Sequence, residues 1–155
     1  MEEELLIRLG KLQDLDVLVQ FNQAMANETE GKKLTLEIVT AGVENLLKNP
    51  NLGFYLLAEK NGKVAGALMV TTEWSDWHNG LYWWVQSVYV LPEFRRQGVY
   101  YKLYNFIKEK AKNEQDDLKI WGFRLYVEGK NTIAQKAYEA LGMKETSYKI
   151  YEESL

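Results

Sequence analysis

The residues best suited to chemistry lie in a short basic loop between a strand-like run and a helical pattern. Arg95 and Arg96 carry two guanidinium groups, and Gly98 stands just before the helical pattern begins. The first backbone N–H groups of a helix have no partner within it, and the helix dipole is positive at this end. A glycine here also lets the backbone come close to a ligand. The spacing therefore predicts that the loop binds an anion such as a phosphate or a pyrophosphate.

The composition limits what the other side chains can do. The chain has 155 residues, with no cysteine and a single histidine, His78. It therefore offers no thiol nucleophile and no thiolate zinc site, and one histidine is too few for a typical transition-metal site. A hydrolase with a Ser-His-Asp triad would have to use His78. We expect a protein that holds no metal ion.

Charge and hydropathy narrow the choice of partners. The formal net charge of −3 at pH 7 argues against nucleic acid as the main partner and is mildly consistent with a cationic substrate. No segment approaches the ~20 uncharged apolar residues of a membrane span. The chain opens with Met-Glu-Glu-Glu, where an export signal would be basic. We therefore expect one globular domain over residues 1–155, cytoplasmic, with neither nucleic acid nor a membrane as partner.

Hydrophobic periodicity predicts six strands and four helices. The strands are expected at residues 5–9, 53–59, 64–74, 81–91, 120–127 and 144–151. The helices are expected from Asp14 or Asp16 to Asn27, from Thr35 to the residue before Pro50, from Val99 to about Lys112, and from Asn131 to Gly142. Polar segments at 27–33 and 113–117 lie between elements, Asn61-Gly62 predicts a tight hairpin, and Gly66 predicts a bulge or a close backbone approach.

The order of these elements, β-α-α-β-β-β-α-β-α-β, predicts an α/β fold with a mixed sheet. Three consecutive strands form an antiparallel meander, and the βαβαβ part that follows adds parallel pairing. Where the meander changes to crossovers, neighbouring strands can separate at their carboxyl ends and admit a ligand. The strand at 81–91 is apolar on both faces, which is typical of a central strand.

Four tryptophans lie close together in the middle of the chain. Trp83 and Trp84 stand in a strand-like run, which favours packing in the core of the sheet. Trp74 and Trp77 flank a polar turn, and for them both a pocket lining and simple packing stay open.

Two segments carry a family resemblance. The loop Arg95-Arg96-Gln97-Gly98-Val99-Tyr100 follows Ser87-Val88-Tyr89-Val90 and Pro92, and a later segment reads Asn131-x-x-Ala134-x-x-x-Tyr138-x-x-x-Gly142-Met143. They resemble the Gln/Arg-x-x-Gly-x-Gly/Ala and Asn-x-x-Ala-x-x-x-Tyr-x-x-x-Gly-Phe patterns of the Gcn5-related N-acetyltransferases. Tyr100 and Met143 depart from these patterns. The element order is also similar, so the resemblance covers essentially the whole chain and implies a strongly twisted sheet of six to seven strands.

The resemblance implies acetyl-CoA as the co-substrate. Backbone N–H groups of the loop would hold the pyrophosphate, and the residues concerned are Arg95, Arg96, Gln97, Gly98, Val99, Tyr100 and Tyr101. The pantetheine arm would pair with the backbone of Val88 and Val90, and a free N–H of this strand would face the thioester oxygen. Asn131 would bind the coenzyme from the helix cap. For Arg96, a solvated surface cation is the alternative.

By the same resemblance Tyr138 is the general acid that protonates the departing thiolate. The alternative for Tyr138 is a buried side chain on an apolar stripe with Ala134 and Leu141.

The residues that would bind the acceptor amine and remove its proton are harder to identify from the sequence. An amine with a pKa around 10 must lose a proton before it attacks. Glu73 is the first candidate base, because the nearby Trp74 and Trp77 could raise the pKa of its carboxyl group by desolvation. A solvent-exposed carboxylate at the end of a strand is the alternative. Further candidates are Asp76, His78 (more simply an exposed loop residue), and Glu28 and Glu30, which could hold a cationic substrate.

With this resemblance, the sequence predicts an N-acetyltransferase that moves the acetyl group directly from acetyl-CoA to an amine of a small molecule or a peptide, in a ternary complex. Acidic and aromatic side chains together would suit a cation with an apolar body. The alternative is a catalytically silent acyl-CoA-binding sensor or interaction domain of the same fold. The resemblance leaves both a monomer and a homodimer open.

Overall fold

The computed structural model describes residues 4–114 and 118–155. Residues 1–3, at the acidic start of the chain, and residues 115–117 of the loop predicted at 113–117 lie outside the described residues. The chain forms two compact units, one that ends at Leu125 and a second from Tyr126 to Leu155. Each is described by itself below.

The described chain contains five strands and four α-helices. The strands are β1 Leu6–Leu9, β2 Gly53–Lys60, β3 Lys63–Ser75, β4 Gly80–Val90 and β5 Lys119–Arg124. The helices are α1 Leu15–Glu30, α2 Leu36–Lys48, α3 Val99–Asn113 and α4 Thr132–Ala140. Short 3₁₀ turns precede α1 at Leu12–Asp14 and follow β4 at Pro92–Phe94.

The five strands form one mixed sheet in the order β1-β2-β3-β4-β5, which confirms the predicted α/β class. β1 to β4 are antiparallel neighbours, and β5 runs parallel to β4. The β2–β3 hairpin turns at Asn61-Gly62, where both residues have positive φ, as a type I′ turn requires. Gly66 is a close approach: a Cβ there would lie 2.9 Å from the Tyr89 carbonyl oxygen.

Each face of the sheet is covered by different helices. On one face, α1 and α2 pack through Leu18, Phe21 and Val43 against Leu57 and Tyr89. On the other, Trp83 makes an edge contact with Phe54 at 5.2 Å, and Tyr104 of α3 packs on Phe123 at 5.7 Å. Trp83 is 4% exposed, so its predicted place in the core is confirmed.

The strand count differs from the prediction. β5 ends at Arg124 rather than at residue 127, and residues 144–151 form no strand. Tyr148 and Ile150 of this segment are both exposed. Alternation describes only the direction of side chains, whereas a strand also needs a neighbour with which to pair.

The start of α1 also differs. Asp14 stands at the N-cap of α1, but its side chain makes no cap hydrogen bond. Its carboxylate accepts hydrogen bonds from the Arg8 guanidinium at 2.8 Å and from the Lys11 N–H at 2.7 Å. The Arg8 bonds lower the pKa of this buried carboxyl group below its ordinary value. Asp14 therefore joins β1 to α1 through an ion pair. The far end of α1 extends beyond the predicted Asn27 to Glu30.

No helix among the described residues combines the length and the apolar character needed to cross a bilayer.

Candidate active site

A bulge in β4 shapes the candidate site. Gln86 pairs with Met69 and Tyr89 pairs with Ala67, so two residues of β4 oppose one of β3. The extra residue is accommodated at Ser87, which has a φ of +51°. Nothing in the sequence marked Ser87, because the left-handed region usually selects Gly, Asn or Asp.

The ladder between β4 and β5 stops short of the end of β4. Its last pair is Trp84 with Arg124, whereas β4 continues to Val90. In the described chain, the part of β4 that holds Val88 and Val90 therefore has backbone groups on its β5 side that make no ladder with β5. The sequence predicted that neighbouring strands separate near this point; β5 itself ends at Arg124, so the ladder ends with the strand.

The basic loop turns directly into α3. Arg96 and Gly98 have φ of +63° and +75°, and the Lys102 N–H donates to the Gly98 carbonyl as an early bond of the helix. The N–H groups of Val99 to Tyr101 belong to the first turn, where intrahelical acceptors are lacking. Arg96, Gln97, Gly98 and Tyr101 are exposed. A loop of this kind presents backbone donors and a positive helix end to an anion.

Tyr100, where a small residue was expected, leaves the loop backbone open. Its ring stacks on Tyr104 at 6.0 Å, one helical turn away along α3. A Cβ added at Gly98 would have no atom within 4 Å. The positive φ of this position, rather than a lack of space, therefore explains why a glycine is found there.

Contacts from the β2–β3 hairpin hold the loop from outside. Gln97 donates to the Glu93 carbonyl at 2.9 Å and accepts from the Lys60 ammonium at 3.4 Å. Lys63 pairs with Glu93 at 2.8 Å.

Arg95 is also exposed, and its side chain makes a hydrogen bond to α1. Its Nε donates to the Val90 carbonyl at 2.9 Å, and a terminal nitrogen donates to Glu28 Oε2 at 2.7 Å. Tyr89 donates its hydroxyl to Glu28 Oε1 at 2.9 Å. The hydrogen bond from Arg95 lowers the pKa of the Glu28 carboxyl group, and burial raises the pKa of Tyr89. The structure thus brings together two residues that the sequence placed in different sites.

A second polar group spans three strands. Arg124 on β5 donates to both carboxylate oxygens of Glu73 on β3, at 3.0 and 2.9 Å, and the Trp84 indole N–H donates to the same carboxylate at 2.7 Å. The guanidinium lies 3.7 Å from the ring centre of Tyr82. Trp84 is thus half-buried with a polar partner, unlike the core residue Trp83. Sequence reasoning missed Arg124, because its place depends on the register of a parallel pair formed across a helix.

The turn between β3 and β4 carries the remaining acceptor-side candidates. Trp74 is 50% exposed and Trp77 is 87% exposed, and Asp76 is exposed as well. His78 is not the exposed loop residue that was expected. Its ring stacks on Trp121 at 4.4 Å, and its Nδ1 lies 2.9 Å from the Ser75 hydroxyl. Glu30 is exposed near Lys32, at 3.7 Å.

The second unit carries the other two predicted residues, both on α4. The Asn131 side chain accepts from the Ala134 N–H at 3.2 Å, so its role as a cap is confirmed. Tyr138 is half-buried, and burial raises its pKa above the ordinary value of 10.0. Gly142, with φ of +98°, follows the helix as predicted. In the part of the chain that the structure describes, no group of three His, Asp or Glu side chains could hold a metal ion.

Comparisons with known proteins place the chain in a family. The model of the acetyltransferase (GNAT) family matches residues 18–143. The crystal structure of a possible acetyltransferase from Clostridium difficile 630 is similar at 42% sequence identity, with 99% of each chain covered and a TM-score of 0.89. No curated protein sequence matches the chain.

Two more distant structures share the fold. An aminoglycoside N-acetyltransferase in complex with CoA is 18% identical, with 99% of this chain and 97% of that chain covered and a TM-score of 0.77. A ribosomal-protein-alanine N-acetyltransferase from Brucella melitensis biovar Abortus 2308 is 16% identical, with 98% and 99% covered and a TM-score of 0.77. The family model spans most of the sequence and a structure 42% identical covers nearly all of it, so this chain belongs to the acetyltransferase (GNAT) family.

Proposed function

We propose that the protein is an acetyl-CoA-dependent N-acetyltransferase that acts as a single catalytic domain. The observation that supports this proposal is how the basic loop and β4 are placed in the first unit. An anion-binding loop at the start of α3 directly follows a strand whose last residues extend beyond the ladder with β5. The family model crosses the boundary at Leu125, which supports one functional domain over residues 1–155.

The loop and the strand suit two different parts of acetyl-CoA. The pyrophosphate would accept hydrogen bonds from the backbone at Gln97, Gly98 and the first turn of α3. The positive φ of Arg96 turns the chain so that successive N–H groups can face one anion. Exposed Arg96 would add charge, and Tyr100 and Tyr101 would take part through their backbones.

The pantetheine arm would extend along β4. Its amide groups need donors and acceptors in an extended row, and the backbone of Val88 and Val90 supplies such a row. An N–H of this strand would also stabilise the charge that develops on the thioester oxygen. Asn131 would bind the coenzyme while it caps α4.

Tyr138 would serve as the general acid. In direct transfer the amine nitrogen forms a bond to the carbonyl carbon, the carbon–sulfur bond breaks, and the thiolate takes up a proton. Since burial raises the pKa of Tyr138, its phenol stays protonated at neutral pH and can donate that proton. Transfer in a ternary complex fits a chain without cysteine, the commonest thiol relay.

The amine would bind near the polar group on β3 to β5. Glu73 stays the first candidate to accept the amine proton, and Trp84 and Arg124 hold its carboxylate in a fixed orientation. Glu30, Asp76, Trp74 and Trp77 are exposed and would contact the body of the acceptor, whereas Glu28 is engaged with Arg95. Relatives of this fold include an aminoglycoside acetyltransferase and a ribosomal-protein-alanine acetyltransferase, so the acceptor would be an amine of a small molecule or a peptide.

The test is coenzyme binding followed by turnover. Calorimetry should give a 1:1 complex with acetyl-CoA, and a panel of aminoglycosides, polyamines and peptide amines should contain acceptors that release free thiol. A chain that does not bind acetyl-CoA would contradict the proposal. Tight binding without thiol release for any amine would favour the silent acyl-CoA-binding domain.

A further inference from the structure

The side chain of Arg95 is committed within the protein. Arg95 is the residue that the loop pattern would assign to the coenzyme, but its Nε donates to Val90 and its terminal nitrogen donates to Glu28. The guanidinium also lies 5.5 Å from the ring centre of Tyr89. Both the Nε and one terminal nitrogen of the guanidinium therefore have partners within the protein.

Glu28 is fixed just as firmly. Its Oε2 accepts from Arg95 and its Oε1 accepts from the Tyr89 hydroxyl, so both carboxylate oxygens are engaged. Tyr89 is only 7% exposed and packs on Phe21 of α1 at 5.1 Å. A buried ring therefore sets where the carboxylate lies, and the carboxylate sets where Arg95 lies. The hydrogen bond from Arg95 lowers the pKa of Glu28, so the bridge persists at neutral pH.

We propose that Glu28 is a positioning residue for the coenzyme loop. It holds Arg95, and Arg95 in turn closes the turn from Val90 to the loop, so that the backbone N–H groups face one anion. This inference rests on the proposed binding of acetyl-CoA. Arg95 then contributes to coenzyme affinity through the shape of the loop, and the pyrophosphate is bound by the backbone and by Arg96.

The position of Glu28 gives the bridge a second consequence. Glu28 lies in the last turn of α1, and Gly31 then starts the connection to α2 with a left-handed φ of +61°. The bridge therefore joins the coenzyme loop to the helix end that carries the acceptor candidate Glu30.

A Glu28→Gln variant separates positioning from direct contact by the sign of its effect. If Arg95 bound the pyrophosphate itself, removing its competing carboxylate would strengthen acetyl-CoA binding. Under the positioning role, the same change weakens binding by about two- to fivefold, the range expected for losing a partly exposed ion pair. Glu44→Gln, which removes the partly exposed ion pair of Glu44 with Lys48 on α2, is the matched control and should leave the affinity unchanged.

A double-mutant cycle tests the same point. Arg95→Gln and Glu28→Gln should weaken acetyl-CoA binding by similar factors, and the double variant should be no weaker than Arg95→Gln alone. Losses that multiply in the double variant would overturn the inference. Arg95→Lys should not rescue binding, because one ammonium group cannot reach both Val90 and Glu28 in the way a guanidinium does.

Hydrogen exchange of the protein without coenzyme makes the result independent of the proposed function. The hydrogen-bonded amides of Arg95 and Lys102, at the two ends of the loop, should exchange faster in Glu28→Gln than in wild type or Glu44→Gln. Unchanged exchange in this segment would overturn the positioning role, whatever the coenzyme does. Faster exchange in a protein that fails to bind acetyl-CoA would leave the bridge standing and contradict the proposed function alone.

Discussion

Arg124 on β5 reaches across β4 and donates hydrogen bonds to both carboxylate oxygens of Glu73 on β3. The pair crosses the sheet at the last rung of the β4–β5 ladder, where Trp84 opposes Arg124. The candidate base is thus oriented by a residue that also marks where the two strands stop pairing.

Replacing Glu73 should therefore affect the amine and not the coenzyme. Glu73→Gln removes the proton acceptor and should lower kcat by about 100-fold with a good acceptor. The KM for acetyl-CoA should stay within about twofold, since that substrate is held by other groups. Steady-state kinetics with both substrates varied measures the two effects. If kcat of Glu73→Gln decreased by less than about threefold, Glu73 would not be the base.

The Arg124 contact predicts how a second change combines with the first. Arg124→Met should lower kcat by leaving the Glu73 carboxylate without the guanidinium nitrogen that donates to both of its oxygens. In the background of Glu73→Gln, the same change should add little, since residues that act as a unit are not additive. Independent, multiplying losses would show that Arg124 acts on the substrate by itself.

Tyr138 predicts the alkaline side of the pH profile. A phenol donates only while it is protonated, and burial raises the pKa of Tyr138 above its ordinary value of 10.0. Its contribution to kcat should therefore persist as pH rises to about 9.5 and be lost only above 10. Tyr138→Phe should lower kcat by about 100-fold at all pH values in this range, with unchanged affinity for acetyl-CoA. A wild-type fall in kcat below pH 9 that disappears in Tyr138→Phe would contradict this assignment.

Gly98 offers a prediction with a matched control. Gly98→Ala puts a Cβ at a φ of +75° with nothing within 4 Å, so strain rather than collision should cost about 1 kcal/mol of stability. Gly62→Ala in the β2–β3 turn has a φ of +71° and equally open space, so its loss of stability should be similar. Only Gly98→Ala should also weaken acetyl-CoA binding. Equal affinities in the two variants, measured by calorimetry, would place the anion elsewhere.

Asp14 predicts how stability depends on pH. Asp14→Asn should lower the free energy of unfolding by about 2 kcal/mol at pH 7, because Arg8 and the Lys11 N–H lose a charged acceptor. The pKa of Asp14 is lower in the folded state than its ordinary value of 3.8. Its stabilisation is therefore fully present above pH 3.8 and is lost as pH falls through the folded-state pKa.

Urea titrations at pH 7, 5 and 3 measure this difference. The gap between wild type and Asp14→Asn should be constant from pH 7 to 5 and should begin to narrow at pH 3. The control is Asp16→Asn, an exposed change in the first turn of α1 that should cost well under 1 kcal/mol. A gap that widens toward acid pH would contradict the ion pair with Arg8.

The features that could be predicted from sequence depend on local backbone chemistry. Asn61-Gly62 turns a hairpin and Asn131 caps α4, because each needs only residues a few positions away. The basic loop was recognisable for the same reason, since Gly98 and the start of α3 are adjacent in sequence.

Features set by distant pairing were beyond the sequence. Glu28 and Arg95 are 67 residues apart, and their contact follows from how α1 packs on the sheet. Glu73 meets Arg124 only through the register of three strands. The strand predicted at 144–151 was wrong for a related reason, because the residues of a segment do not show whether a neighbouring strand is there to pair with it.

The bulge at Ser87 shifts by one residue the alternation of β4 side chains between the two faces of the sheet. Residues of a strand alternate between its two faces, so Gln86 and Tyr89, three positions apart, would ordinarily point in opposite directions. The extra residue puts both on the face that carries α1, and only there can the Tyr89 hydroxyl meet Glu28. A homologous strand one residue shorter would carry the same aromatic side chain to the α3 face. Segments on either side of Ser87 can therefore be exchanged with those of a relative only when that relative has the same residue count across the bulge.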